Sequence, residues 1–544
     1  GLGDVYKRQT VKGEKWYDPR TSNGEDENGE VVKRIREYKK MVWSNTLSYL
    51  TTFNNIHHLD FLAGYEIDDT YNDYLSGEAY NFTTPDKHAI SNGMKTVSVG
   101  GSDSRYRLVS YLSRLNYDYK NKYYLGASFR VDGSSRLHRD NRWGTFWSVS
   151  GAWRTIEEEF MQPVKDWLTD LRIRASYGVN GTLPSDYFGY MGLSSISGGY
   201  LEQPGIQMSQ IANPNLKWET NYNMNIGLDF GFWDRLNFTI EYYTRTTKNL
   251  LMDCPVSMTT GFSSYLMNIG EVKNKGIELT INSTNIKIKD FSWNTTFNLG
   301  HNSNKVVKLD GEQTQIVSGT QIHKVGSSYR TFYVQEFAGI NPETGNPLFY
   351  TNELDENGNY IKEITENSKN AQFIPYKHAE PTVNGGISNS LRYKWLDLNF
   401  LFSYQFGGYS YDTWAQKTEH GGYDSYANIP TYYRDSWKKP GDQTNIEVYM
   451  PGKSSSVSMH KITSSRRIHS TDYFRLKNIT FGITLPKEWT NKINIGNVRF
   501  YASASNLWTW AAYDNYDPEA VSAGSATQTT PPLKTVTFGL NINF

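Results

Sequence analysis

Between Gly407 and Asp472 the chain concentrates large rings, among them Tyr409, Tyr411, Trp414, Tyr423, Tyr426, Tyr432, Tyr433 and Trp437. Aromatic faces stack on sugars and anchor protein partners, so these residues are candidate contacts for a ligand or partner. The same rings can instead pack a long loop against itself or sit in an aromatic belt at a membrane surface, and both uses are open to them. Other chemistry-bearing residues form weaker groupings. His57 and His58 are adjacent and point to opposite faces of a strand, which defeats joint metal ligation. His460 and His469 accompany Arg466 and Arg467, a pattern that reads as a solvated basic loop rather than a metal site. Arg130, Asp132 and Arg136 share one face by alternation and could hold an anion, although salt bridging at a strand end is the preferred reading. The two DENG segments, Asp26–Gly29 and Asp355–Gly358, lack the continuation of a calcium loop and read as turns. Cys254, the single cysteine, can form no internal disulfide and reads as a buried thiol. No GxSxG elbow occurs, so no catalytic, cofactor-binding or metal site is assigned.

The elements that would position these residues are strands. From Asn221 to Phe232, Tyr222, Met224, Ile226, Leu228, Phe230 and Phe232 alternate with Asn221, Asn223, Asn225, Gly227, Asp229 and Gly231. A period of two over that length predicts a long strand with one apolar face. Leu236, Phe238, Ile240 and Tyr242 continue the pattern after a tight turn, and Tyr123 to Val131, Phe291 to Leu299, Leu396 to Phe406 and Val536 to Phe544 repeat it. Roughly 14 to 17 such strands are expected, near 9 to 11 residues each or a little longer.

Soluble sandwiches alternate too, but the connections here do not resemble theirs. Short links at Tyr119–Lys122, Trp233–Arg235 and Tyr393–Trp395 take turns with long ones such as Val179–Leu216 and Gly407–Thr471. That asymmetry, with Tyr, Phe and Leu on one face and Asn, Gly, Ser, Thr and Asp on the other, predicts an all-β, antiparallel transmembrane barrel with lipid outside and a wet lumen inside. Aromatic residues at 15% suit interfacial girdles. No apolar run is long enough for a membrane-spanning helix. Lys plus Arg and Asp plus Glu balance at 56 each, which leaves no basic footprint for nucleic acid.

Several segments, in order along nearly the whole chain, resemble the SusC/RagA family of TonB-dependent outer-membrane transporters of Bacteroidetes. They are Phe129–Ile156 (FRVDGSSRLHRDNRWGTFWSVSGAWRTI), Leu171–Gly181 (LRIRASYGVNG), Asn213–Thr220 (NPNLKWET), Asn225–Gly231, Tyr242–Leu251, Asn268–Leu279, Asp472–Pro486 (DYFRLKNITFGITLP), Val498–Leu507 and Asp517–Glu519 (DPE). Leu137 stands where the family has Phe, and Trp147 where it has Pro. Phe544 ends the chain on an aromatic, as in many outer-membrane barrels.

The resemblance implies the later strands of a barrel of about 22 strands, which need not close within this chain, with the N-terminal plug absent. It implies import of large nutrients, glycan or peptide, as the channel subunit of a SusC/SusD-like system. The partners would be outer-membrane lipid, a SusD-like surface lipoprotein, and the TonB complex reached through a region that precedes these residues. The chain opens with neither Met nor a charged-then-apolar start, so its natural beginning is expected upstream; residues 1–9 read as a non-native leader and 10–544 as barrel. Two alternatives remain: a passive porin-like channel, whose strand count is close, and an outer-membrane barrel enzyme, whose site could be scattered over strands.

Overall fold

Three tight turns set the register of the strands they join. In each the two central residues have positive φ: Asn54 and Asn55, Lys120 and Asn121, and Trp233 and Asp234. Each is closed by a backbone bond, Ile56 N–H to Phe53 O at 3.1 Å, Lys122 to Tyr119 at 3.0 Å and Arg235 to Phe232 at 3.0 Å. Positive φ at both centres is the type I′ geometry, whose twist matches that of the strands it joins.

The computed structural model describes residues 2–200, 203–309, 314–422, 428–451, 462–493, 495–527 and 529–543. Among the described residues sixteen strands build one sheet: β1 (Leu2–Tyr17), β2 (Glu30–Phe53), β3 (His57–Phe82), β4 (Gly93–Tyr119), β5 (Tyr123–Ser134), β6 (Trp143–Trp153), β7 (Leu168–Thr182), β8 (Glu219–Phe232), β9 (Leu236–Lys248), β10 (Glu271–Lys287), β11 (Phe291–Lys308), β12 (Val383–Tyr393), β13 (Leu396–Phe406), β14 (Tyr473–Thr484), β15 (Asn497–Ala511) and β16 (Thr535–Asn543). Each bonds to the next in chain order, so β1 and β16 stand at the two ends of the order. The ladders from β1 to β6 and from β10 to β16 are antiparallel. Leu2–Gln9, set aside above as a leader, continue β1 and pair with Tyr38–Asn45; a ladder uses backbone groups alone and accepts such a sequence. The final aromatic, Phe544, lies outside the described residues.

Burial is inverted relative to a soluble sheet. In β8 the polar or small residues Asn221, Gly227, Asp229 and Gly231 are buried, whereas Ile226 and Leu228 are exposed. Water would penalise that arrangement and hydrocarbon rewards it.

The chain folds as two compact units, 1–153 with 175–223 and 247–269, and 154–174 with 224–246 and 270–544. In the first, rings form two belts on the apolar face. Trp43, Tyr65, Tyr111 and Trp143 follow one another at centroid distances of 6.1, 5.1 and 6.4 Å. Tyr119, Tyr123 and Trp153 make the other belt, at 6.2 and 6.4 Å. Tyr111 and Tyr119 lie on one strand at a spacing worth about 26 Å of its length. At the usual barrel tilt this is about 20 Å of membrane depth, close to an outer-membrane apolar band.

Strands β2, β3 and β4 run to 24, 26 and 27 residues, well beyond the expected length. The excess begins where charge appears on both faces. Asp68 pairs with Lys40 at 2.6 Å and the neighbouring Asp69 with Arg107 at 2.8 Å. Adjacent strand residues point to opposite faces, so from Asp68 onward neither face of β3 suits lipid, and the hairpin continues into solvent. There Val31, Ala79 and Phe82 form a small core with Trp16 and Ile90.

Candidate surface-loop site

In the second unit the long connections fold into a structured cap. The 309–382 connection contributes a four-stranded sheet of Gln315–Ser318, Gln321–Lys324, Thr331–Gln335 and Phe373–His378. The 407–472 connection supplies Tyr409–Asp412, which pairs antiparallel with Ile468–Ser470 and parallel with Ser525–Ala526 of the 512–534 connection. Phe332, Val334, Tyr411 and Ile468 close over one another as an apolar core.

That packing decides where the predicted rings go. Tyr411 is fully buried in the core. Tyr409 is half-buried, with the Lys377 ammonium 5.3 Å from its ring centroid. The Tyr433 hydroxyl donates to Glu447 at 2.9 Å and that of Tyr432 donates to Glu419. The Trp437 indole N–H donates to the Pro342 carbonyl at 2.7 Å. Trp414 is exposed, at 39%. Tyr423 and Tyr426 lie outside the described residues. Four of the rings therefore hold the cap together by burial or by hydrogen bonds.

The solvated basic loop expected around Arg466 and Arg467 is not what forms. Arg467 is buried at 1% exposure, with Glu419 at 3.8 Å; Arg466 faces Glu419 at 3.7 Å and Glu447 at 3.9 Å. Two cations enter the interior because two carboxylates enter with them. His460 lies outside the described residues. His469 stacks on Tyr513 at 3.7 Å with the rings nearly parallel, and burial holds its pKa below the ordinary imidazole value. Burial also raises the Tyr432, Tyr433 and Tyr513 phenols, with Glu419, Glu447 and Asp412 adding to the effect. Tyr516 is pushed up to about 12 by the same burial.

Asp412 joins the loops. It accepts from the Ala415 N–H at 2.8 Å, capping the helix Thr413–Thr418, and from the Tyr513 hydroxyl at 3.0 Å. Ser410 donates to the Tyr516 hydroxyl at 2.7 Å. Beneath them, Arg475 of β14 is 2% exposed. Its guanidinium forks to Asp517 at 2.5 Å and to Glu519, while its Nε donates to Thr509 at 3.0 Å. Lys477 adds a bond to Glu519 at 2.6 Å. The RLK and DPE segments of the sequence are thus two halves of one latch that ties the 512–534 loop to the wall. Asp412, Trp414, Arg475, Asp514, Asn515 and Asp517 line a cavity of about 610 Å³ above it, within the size range of ligand sites. The aromatic density indicated Trp414; Asp514 and Asn515 were missed because nothing in their local sequence links them to a residue a hundred positions earlier.

Elsewhere, Arg130 makes the expected salt bridge, with its Nε 2.7 Å from Asp132. Arg136 instead lies over the rings of Tyr106 and Tyr187, 3.9 and 4.3 Å from their centroids. His57 and His58 bond separately, to Tyr117 at 2.7 Å and Thr52 at 2.9 Å. Cys254 is buried, which raises its thiol pKa. Asp355–Gly358 is a turn closed at 3.0 Å.

An apolar face carrying aromatic belts, a polar face opposite it, short turns and folded long connections define the wall and surface loops of an outer-membrane β-barrel. The chain belongs to the TonB dependent receptor-like, beta-barrel family, whose model matches residues 2–360, and it resides in the outer membrane. TonB-dependent receptor P3 of Formosa agariphila is 32% identical over 95% of this chain and 53% of its own length. TonB-dependent receptor SusC of Bacteroides thetaiotaomicron is 29% identical over 95% of this chain and 51% of its own. A solved structure of the RagAB peptide transporter matches with a TM-score of 0.87 and 26% identity, over 100% of this chain and 60% of that one. The SusC/RagA resemblance read from the segments is borne out. The chain spans about half the length of the curated relatives it matches.

Proposed function

We propose that this chain is the channel wall and surface cap of a TonB-dependent importer of large nutrients, glycan or peptide, working as the channel subunit of a SusC/SusD-like pair. The reading is carried by the match at TM-score 0.87 over the whole chain to a transporter described as taking peptide, together with the similarity to SusC. A SusD-like lipoprotein would close over the cap, and TonB would act through sequence that precedes the wall in such receptors. Trp414, which lines the cavity, is the ring that would touch ligand, whereas Tyr411 and Tyr433 serve packing. The wall and cap serve passage rather than catalysis.

The sixteen strands favour one competitor, because passive porins are built from about that number. Energy coupling separates the two. In the source organism, growth on the nutrient whose uptake requires this gene is expected to stop when TonB is removed. Uptake that continues at the same rate without TonB would sink the importer reading and leave a passive channel.

A further inference from the structure

The importer reading leaves open what the cap cavity holds, and the chemistry of its lining narrows the answer. Trp414 offers an exposed indole face. Around it stand groups that exchange hydrogen bonds with hydroxyls: Asp514, Asn515, Thr527 and Thr529. Asp514 and Asn515 are exposed, as are both threonines, so none has to be freed from burial before it can bind. Apart from the rings of Trp414, Trp510 and Tyr516, the apolar lining is small or cyclic, namely Ala511, Ala526, Pro518 and Pro531, so the apolar surface on offer is mainly ring faces, on which a sugar can stack.

Charge narrows the choice further. Three carboxylates, Asp412, Asp514 and Asp517, line the cavity against a single cation, Arg475. That cation is already committed, because its fork is filled by Asp517 and Glu519. Among the described lining residues no positive group is left to receive a sulfate or a uronate, and like charges in a partly enclosed site repel. The cavity is also pre-formed. Its walls are fixed by the Asp412 bonds, the parallel pairing of Tyr411 with Ser525 and the Arg475 latch, so binding need not first order the loops.

We propose that the cavity between the helix Thr413–Thr418 and the 512–534 loop is a subsite for a neutral, hydroxyl-rich saccharide, stacked on Trp414 and hydrogen-bonded by Asp514 and Asn515, and that it discriminates against anionic saccharides. The proposal rests on the importer reading and selects one of its two substrate classes.

The test uses the intact receptor in detergent, titrated by calorimetry with three sets of probes: neutral hexose, pentose and deoxyhexose oligomers; the same backbones carrying sulfate or carboxylate; and a tryptic peptide pool. At least one neutral oligomer is expected to bind, and its charged counterpart to bind at least about tenfold more weakly. Loss of the stacking face in Trp414→Ala is expected to weaken the neutral ligand by about tenfold, with Trp414→Phe recovering most of it. Asp514→Asn removes an exposed charge without disturbing the latch and is expected to narrow the gap between neutral and charged oligomers. Binding of peptides with no neutral saccharide bound, equal binding of the charged set, or an unchanged affinity in Trp414→Ala would each overturn the proposal. TonB-dependent uptake in the presence of any of these results would leave the importer reading standing. Conversely, saccharide binding with TonB-independent uptake would remove the importer reading while the subsite remained.

Discussion

At the scale of single residues, Arg475 carries more structural weight than any predicted ring. It is buried and its guanidinium satisfies two carboxylates at once, a geometry that lysine cannot reproduce. Truncating one partner of a buried ion pair leaves the others uncompensated, at a cost of about 3 to 5 kcal/mol. Arg475→Ala is therefore expected to accelerate hydrogen exchange across 512–527 while β10 to β13 keep their protection, and Arg475→Lys to recover only part of the loss. Equal protection of the loop in wild type and Arg475→Ala would show that the latch does not hold it. His469 adds a pH dependence at the same junction. Its folded pKa lies below the ordinary value of about 6.5 because burial opposes charging, and Arg466 and Arg467 oppose it too, while Asp412 and Glu419 act the other way. The unfolded state then binds the proton more readily, so this residue favours the folded cap fully above about pH 6.5, and that preference is lost as pH falls below it. Protection of 407–422, corrected for intrinsic exchange, should drop between about pH 7 and about pH 5.5, and His469→Gln should flatten the profile.

Among the elements, the strands were legible and the loops were not, and the reason is the range of the signal. Alternation from Tyr222 to Phe232 is contained in one strand, and from Ile226 to Phe232 the inverted burial of β8 follows it. Ile226 lies on the exposed apolar face between the ends of β8, so Ile226→Arg should cost about 2 to 4 kcal/mol if that face meets lipid. The same change at Asn225, on the opposite face, should cost far less; equal effects on thermal unfolding in detergent micelles would contradict the assignment of faces. The cap offered no comparable pattern, since its junctions join distant residues: Thr413 bonds to Ala526, 113 positions away. Arg466 and Arg467 looked solvated for the same reason, their carboxylate partners being Glu419 and Glu447, far outside any local window. Glycines in the wall have a second role that alternation does not reveal. A methyl group on Gly276 would lie 2.2 Å from the His301 carbonyl oxygen and 2.7 Å from the Tyr243 ring. Gly276→Ala is thus expected to lower stability by about 1 to 3 kcal/mol through overpacking, visible as a lower temperature of unfolding in a mobility-shift assay.

For the molecule as a whole, the ends of the sheet set the requirement. Strands β1 and β16 each have one ladder neighbour among the described residues, and an unpaired strand edge in hydrocarbon leaves backbone donors and acceptors without partners. Sixteen strands could close by themselves only if β1 and β16 paired with each other. A receptor of about 22 strands would instead pair those edges with strands from elsewhere in its chain. The two cases differ in a simple experiment. Expressed in an outer membrane as these 544 residues alone, the wall is expected to yield no compact, heat-modifiable species on a gel, because its two edges stay open. Supplying the remaining portion of a receptor in the same chain is expected to produce one. A compact, heat-sensitive band from the 544 residues by themselves would mean that β1 and β16 close directly, and the passive-channel reading would then gain over the importer.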